Sequence, residues 1–207
     1  DVQMEYLQEK FAKKGLMILY TAPWPGQGFY TKFPVNSVSD FKGKKLRIYS
    51  TATQQMGSML GFNATILPFA EIPQAFSTGL IEALFTSPQT GIDIQAWDNT
   101  KHFTYAGAIF SKNAVVVTKK AFDALSKADQ SSMLAAAKRA ELRGWEMSAE
   151  TTKKQIGTLK KNGMSSKNAP DEVISKMKSI GLEMMKNWRS KASPEANAVL
   201  DRYLSMR

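Results

Sequence analysis

The chain has 207 residues, of which 43% are hydrophobic and 22% charged, and its formal net charge is +10. This composition is that of a globular protein with one large or two modest domains. Cysteine is absent, which excludes disulfides, thiolate chemistry and cysteine-based zinc sites. No apolar run approaches the roughly 20 residues of a membrane span, so we expect no direct membrane insertion.

The positive charge is distributed as scattered lysine pairs and not as one basic stripe. The pairs lie mostly where a predicted helix ends or shows its polar face, and no basic run is interleaved with aromatic residues. We therefore predict no nucleic-acid partner. A basic nucleic-acid module remains an alternative, which steeply salt-dependent retention on DNA or RNA would reveal.

The first predicted elements are a helix and a strand. A helical pattern of apolar residues runs from about residue 2 to Lys14 and ends at Gly15, and residues 16–20 form an apolar strand pattern. Because a mature protein rarely begins inside an element, we expect an N-terminal portion to be missing. The Pro- and Gly-rich segment 22–28 predicts an irregular connection between domains.

Three strand–helix units follow in the middle of the chain. The predicted strands are 45–49, 63–67 and 81–86, and the predicted helices are 52–60, 70–78 and 89–98. Strands separated by helices of this length predict a parallel sheet with right-handed crossovers. Ligands of such sheets bind beyond the carboxyl ends of the strands.

The last part of the chain is mainly helical. Residues 105–109 and 114–117 are strand-like, and we expect both to return into the first sheet. From 126 to 162 the pattern is helical, on the order of 50 Å long, which predicts a spine helix shared by two lobes. Two further helices are predicted at 170–188 and 194–204, each beginning at a proline.

Arg47 is the leading candidate for a binding residue. It ends a strand pattern, and a predicted helix begins just beyond it, with Ser50 near the start. A guanidinium beside free helix N–H groups is a receptor for a carboxylate. Thr86 and Ser87 end a second strand with more hydrogen-bond donors, and Phe69 offers an aromatic wall. A surface arginine and a core phenylalanine are the alternative interpretations.

Other candidate residues have weaker support. Trp24 and Gln27 lie in the irregular connection, where they either contact a ligand or stiffen the loop. His102 is the only histidine, and we interpret it as a structural or surface residue. No motif predicts a catalytic site or a cofactor. An α/β enzyme acting on a small carboxylate remains an alternative, and turnover of a ligand would favour it.

Three segments together resemble one protein family. The segments 40–48, 60–62 and 67–83 are similar to the solute-binding proteins of tripartite ATP-independent periplasmic (TRAP) transporters, the DctP-like family. The resemblance continues through 113–117 and 121–125. It covers essentially all of this chain but only about the last two thirds of a family member, so the N-terminal third of such a protein would be missing.

The resemblance implies a fold and a function. Family members are α/β proteins with a two-lobed periplasmic-binding fold, here with an incomplete first lobe. They are extracytoplasmic receptors, not enzymes, and in the periplasm they close on a small organic acid and deliver it to the membrane subunits of a TRAP transporter. By this resemblance, 1–24 and 112–150 are the remaining part of lobe I, and 25–111 and 151–207 form lobe II.

The resemblance also suggests residue roles. Arg47 matches the family arginine that forks onto the ligand carboxylate, Thr86 a position usually held by asparagine, and Phe69 a site aromatic. Ser50 falls where a polar pocket residue is common. Gln27 aligns where sialic-acid binders carry a second arginine, which argues against sialic acid as the ligand.

Two further expectations concern the ligand. The strand end at Phe85 and Thr86 departs from the Glu-Trp pair of the keto-acid binders that use a metal, so we predict no metal. The aromatic residues Trp24, Phe69 and Phe85 near one arginine suggest a partly apolar or aromatic monocarboxylate.

Overall fold

The computed structural model describes residues 2–206, apart from the side chain of Ala149. The chain divides into two compact units. Unit 1 comprises the residues up to 23 together with 112–147 and those from 185 onward. Unit 2 comprises 24–111 and 148–184.

Unit 1 contains a two-stranded sheet and several helices. Strand β1 (Leu16–Pro23) pairs antiparallel with β7 (Lys112–Thr118). The other elements of this unit are α1 (Met4–Ala12), α5 (Lys119–Asp123), α8 (Pro194–Leu204) and parts of α6 (Lys127–Lys161) and α7 (Asp171–Arg189). The strand predicted at 114–117 therefore does return beside the first strand of the chain.

The compact units differ from the predicted lobes at one segment. Residues 185–207 were predicted to belong to lobe II, whereas the structure groups 185–206 with unit 1. The physical reason is packing of α8 against α1, with Val199 and Leu200 lining the same apolar cavity as Tyr6 and Leu7. The lobe assignment of the other segments stays a prediction.

Unit 2 is built on a six-stranded sheet in the order β4-β3-β5-β2-β6-β8. Its strands are β2 (Gln27–Thr31), β3 (Lys45–Ile48), β4 (Asn63–Ile66), β5 (Ala83–Thr86), β6 (His102–Ala108) and β8 (Ser165–Asn168). Its helices are α2 (Thr51–Met59), α3 (Ile72–Ser77) and α4 (Pro88–Asp93), with parts of α6 and α7. Short 3-10 turns occur at Val38–Phe41, Phe69–Glu71 and Ala96–Asp98.

The sheet is mixed and not wholly parallel. Strand β3 runs parallel to β4 and β5, as the strand–helix pattern predicted. Strand β2 runs antiparallel to both β5 and β6, and β8 joins parallel to β6. The prediction that 105–109 returns into the first sheet is wrong, because β6 pairs inside unit 2.

The central strand β2 begins inside the segment 22–28 that the sequence predicted as an irregular connection, at Gln27 and Gly28. All five of its residues are buried. Gly28 is required there, because a Cβ at this position would lie 2.5 Å from the carbonyl oxygen of Thr104 and 2.9 Å from the ring of Phe103. A glycine within a strand often marks such a close approach of another backbone. Gly28 contributed to the prediction of a loop, but its role in the structure is to allow this packing.

Apolar residues on the two faces of this sheet form two separate cores. One core contains Phe29, Leu46, Ile48 and Phe85, and Val173 of α7 packs with them. The other contains residues of β2, β5 and β6 with residues of α3 and α6; its largest members are Tyr30, Ile72, Phe76, Leu84, Phe103 and Leu159. Helices on both faces of a sheet are the α/β architecture that the sequence predicted.

Most helix boundaries match the predicted ones. The helix from Ser126 begins with a cap in which the Ser126 hydroxyl accepts from the N–H of Asp129 at 3.1 Å and donates to the Asp129 carboxylate at 2.7 Å. Helix α2 is followed by Gly61 at φ 97°, a left-handed conformation that suits glycine.

Within residues 2–206, no helix combines the length and apolarity needed to cross a membrane.

Candidate functional site

Arg47 is a buried cation at the end of β3. Strand β3 holds it opposite Leu84 of β5 and Thr65 of β4, and only 4% of its surface is exposed. Its Nε donates to the carbonyl oxygen of Leu67 at 3.0 Å. Burial lowers the pKa of the guanidinium, yet an arginine stays protonated in proteins. Among residues 2–206, no carboxylate pairs with it.

Thr86 lies on the same face of the sheet as Arg47. Arg47 is opposite Leu84, and Thr86 follows Leu84 by two residues, which in a strand restores the same side. Thr86 and Ser87 are both buried. The Ser87 hydroxyl caps α4 by accepting from the N–H of Thr90 at 3.1 Å. The structure thus brings together the two strand ends that the sequence predicted.

Ser50 serves as the N-cap of α2. Its hydroxyl accepts from the N–H of Thr53 at 3.2 Å, and the Thr53 hydroxyl accepts from the N–H of Ser50 at 3.1 Å. This reciprocal cap satisfies one of the free donors of the helix start. A direct contact between Ser50 and a ligand stays a prediction.

Phe69 is a large aromatic side chain on the surface. It is 53% exposed, and it follows by two residues the Leu67 carbonyl that Arg47 binds. An exposed aromatic ring close in the chain to an unpaired cation is typical of a binding site that a ligand covers. The core interpretation of Phe69 is therefore wrong, and ligand contact stays a prediction.

Gln27 is buried and bound to protein groups. Its Nε2 donates to the Tyr49 hydroxyl at 2.8 Å and to the Ile109 carbonyl at 3.0 Å, and it lies 3.4 Å from the Ser111 hydroxyl. Tyr49 also lies within donating distance, 3.1 Å, of Gln27 Oε1. Trp24 is joined to the same segment, because its N–H donates to the carbonyl of Ser111 at 2.8 Å.

Phe85 does not belong with this group. It is fully buried in the core on the opposite face of the sheet from Arg47, with its ring centroid 4.8 Å from that of Phe29. The reason is strand alternation, since Thr86 and Leu84 point to one face and Phe85 to the other. The prediction of Phe85 as a ligand-binding residue is thus corrected to a core role.

An apolar groove of about 640 Å³ also lies within unit 2. Its lining comes from the start of α2, the end of β6 and α7. Ser50 lines it, as does Tyr49, whose ring centroid is also 6.0 Å from the Arg47 guanidinium carbon.

Within the described part of the chain, no cluster of three His, Asp or Glu side chains could hold a metal ion.

Comparison with known proteins identifies the family of this chain. Residues 1–191 match the family model DctP, described as bacterial extracellular solute-binding protein, family 7. The chain belongs to this family. The description of this family names solute-binding proteins, and the solved relatives below are solute receptors.

Several solved structures share the fold. DctP7, an extracytoplasmic solute receptor of Bordetella pertussis that binds pyroglutamic acid, is 38% identical with a TM-score of 0.94, covering 98% of this chain and 67% of that one. A TRAP solute-binding protein from a marine metagenome, specific for pyroglutamate, is 32% identical with a TM-score of 0.92, covering 99% and 67%.

The match to a curated relative covers only part of each protein. A solute-binding protein of Chromohalobacter salexigens is 25% identical over 160 residues, which is 73% of this chain and 47% of that protein. This family-7 chain therefore spans about half the length of the curated relative.

The contact between the Tyr49 ring and Arg47 was not predicted from the sequence. Tyr49 directly follows β3, and it packs against the core of Phe29, Ile48 and Phe85 while its ring centroid lies 6.0 Å from the Arg47 guanidinium carbon. Its position two residues after Arg47 in the chain was the available signal. Ile109 and Ser111 carried no comparable signal, because only tertiary structure brings them to Gln27.

Proposed function

We propose that this protein is an extracytoplasmic receptor that binds a small organic acid through Arg47 and delivers it to the membrane subunits of a TRAP transporter. It works in the periplasm. The proposal depends on one observation, a guanidinium that is 4% exposed and has no carboxylate partner among residues 2–206.

Burial of the positive charge of Arg47 has an energetic cost. A buried charge is costly unless it is paired, and proteins normally pair it with a carboxylate or a bound ion. Among residues 2–206, the hydrogen bond of the Arg47 guanidinium is the one that its Nε donates to the neutral carbonyl of Leu67. The remaining edge of the guanidinium can donate two parallel hydrogen bonds, which is the geometry that fits a ligand carboxylate.

For the ligand, we propose a small monocarboxylate of the pyroglutamate type. Three solved receptors that bind pyroglutamate are 38%, 36% and 32% identical to this chain. The exposed ring of Phe69 suits an acid with an apolar ring face.

Calorimetric titration of the intact protein with pyroglutamate tests this proposal. Wild-type protein should bind, and Arg47→Ala should lose roughly 2 to 5 kcal/mol of binding free energy, because a charge-assisted pair is removed. Arg143→Ala removes an arginine that is 69% exposed and serves as the control.

The possible outcomes distinguish an error in the proposed ligand from an error in the proposed receptor function. Binding of galacturonate or another acid in place of pyroglutamate, again dependent on Arg47, would reject the ligand and keep the receptor. Unchanged binding of every active acid by Arg47→Ala would reject the receptor role of Arg47.

A further inference from the structure

The Gln27 side chain is buried and hydrogen-bonded to other groups of the protein. It is only 2% exposed, and its carboxamide lies at hydrogen-bond distance from Tyr49, Ile109 and Ser111. An amide nitrogen has two N–H donors, so the Tyr49 hydroxyl and the Ile109 carbonyl already satisfy both. Little donor capacity remains for a solute.

The local backbone directs Gln27 to these partners. Between Gln27 and Gly28 the pairing of β2 with β6 shifts register, from Ala108 to Tyr105. Such a bulge redirects the side chain beside it. Ile109 adopts φ 55°, which is strained for a β-branched residue and persists only when its surroundings hold it. The hydrogen bond from Gln27 to the carbonyl of Ile109 is one such restraint.

Tyr49 connects Gln27 to the cation. The ring centroid of Tyr49 lies 6.0 Å from the guanidinium carbon of Arg47, at the outer limit of a cation–π contact. The Tyr49 hydroxyl lies 2.8 Å from Nε2 and 3.1 Å from Oε1 of Gln27. Since the phenol is anchored at its far end, the ring cannot swing away from the guanidinium without breaking these hydrogen bonds.

We propose that Gln27 is a positioning residue for ligand recognition: its carboxamide fixes the Tyr49 ring against Arg47, without touching the ligand itself. This inference rests on the proposed receptor function, and it replaces the prediction of direct ligand contact by Gln27. A side chain that acts through another has a measurable signature, because its effect disappears when the intermediary is removed.

A double-mutant cycle in the intact protein tests the inference, with pyroglutamate as the probe. Gln27→Leu and Tyr49→Phe should each weaken binding about tenfold, the effect of one hydrogen bond. The double variant should be no weaker than the weaker single variant. Additive losses, or full affinity in both single variants, would overturn the positioning role.

A second measurement does not depend on any ligand. In ligand-free protein the hydrogen bond from Gln27 lowers the pKa of Tyr49, opposing the larger effect of burial, which raises it. Gln27→Leu should therefore raise the pKa of the Tyr49 phenol, followed by NMR of ¹³Cζ-labelled tyrosine. An unchanged value would overturn the inference even if pyroglutamate does not bind.

The control variant is Gln54→Leu. Gln54 is also partly buried in unit 2, and its Nε2 donates to the carbonyl of Ala64 at 3.1 Å. This variant removes a comparable side-chain amide and should change neither affinity nor the pKa of Tyr49. If wild-type protein fails to bind any acid through Arg47, the receptor proposal fails, whereas the NMR result still shows whether the carboxamide of Gln27 holds the Tyr49 hydroxyl.

Discussion

The Nε of Arg47 donates a hydrogen bond to the backbone carbonyl of Leu67 at 3.0 Å. This bond joins the end of β3 to the segment that follows β4 and fixes the plane of the guanidinium. The two terminal nitrogens of the Arg47 guanidinium have no hydrogen-bond partner within residues 2–206. The fork is thus oriented before any ligand arrives, which reduces the entropy lost on binding.

Arg47→Lys should show that the fork matters as well as the charge. A lysine keeps the positive charge but cannot donate two parallel hydrogen bonds from a fixed plane. We expect pyroglutamate binding about tenfold to a hundredfold weaker than wild type, and stronger than in Arg47→Ala. Calorimetry measures both constants, and wild-type affinity in Arg47→Lys would contradict a forked contact.

Tyr30 should make the protein sensitive to alkali. Burial, with a smaller contribution from the negative charge of Asp93, raises the pKa of Tyr30 well above its ordinary value. Above about pH 10 the unfolded chain releases this proton while the folded chain keeps it. Stability should therefore be independent of this group below pH 10 and fall as the pH rises further.

Urea unfolding between pH 8 and pH 11 measures this dependence. Tyr30→Phe should flatten the alkaline fall, at the expense of the hydroxyl contacts with the carbonyls of Ser87 and Pro88 at 3.2 and 3.3 Å. Burial also raises the pKa of the half-buried Tyr105, though less strongly, so Tyr105→Phe should flatten the curve less. Equal slopes in all three proteins would refute the assignment to Tyr30.

Glu141 should stabilise unit 1 through β1. Its Oε1 accepts from both the N–H and the hydroxyl of Thr21, at 2.9 and 2.7 Å, and Thr21 is buried. Glu141→Ala should cost about 1 to 3 kcal/mol, because a buried N–H loses its acceptor. Glu141→Gln retains an acceptor oxygen and should cost less.

The matched control for Glu141 is Glu146→Ala. Glu146 is 66% exposed and lies 4.0 Å from Arg143, an ion pair that contributes little to stability. Thermal unfolding followed by circular dichroism compares the three variants. A loss in Glu146→Ala equal to that in Glu141→Ala would show that general helix effects, and not the Thr21 contact, are responsible.

Two glycines should respond to alanine in opposite directions. A Cβ at Gly91 would lie 2.0 Å from the hydroxyl oxygen of Tyr30, so Gly91→Ala should cost several kcal/mol or prevent folding. A Cβ at Gly157 in α6 meets nothing within 4 Å, so Gly157→Ala should stabilise by about 1 kcal/mol. Denaturant midpoints measure both, and stabilisation by Gly91→Ala would contradict the packing described.

Local sequence signals were sufficient for most helices and for three neighbouring strands, but the helix predicted at 89–98 ends at Asp93, and α5 was not predicted. Apolar periodicity together with terminal glycines and prolines predicted α2, α7 and α8 to within about two residues. These signals operate between residues close in the chain, so they need no knowledge of partners. The same holds for the strand end that presents Arg47 and the cap at Ser50 that follows it.

Strand β2 and the surroundings of Gln27 needed the tertiary structure. Segment 22–28 contains prolines and glycines, which indicate a loop when only neighbouring residues are considered. Gly28 is in fact demanded by the Phe103 ring and the Thr104 backbone, which come from a strand more than seventy residues later.

The sequence by itself determined the α/β class, the family resemblance and Arg47 as the candidate anion-binding residue. Only the tertiary structure decided that Arg47 is buried without a carboxylate partner in residues 2–206, that Phe85 belongs to the core and that Gln27 binds Tyr49. The physical reason is that burial and hydrogen-bond partners depend on distant segments. Helix caps and strand alternation depend on neighbours.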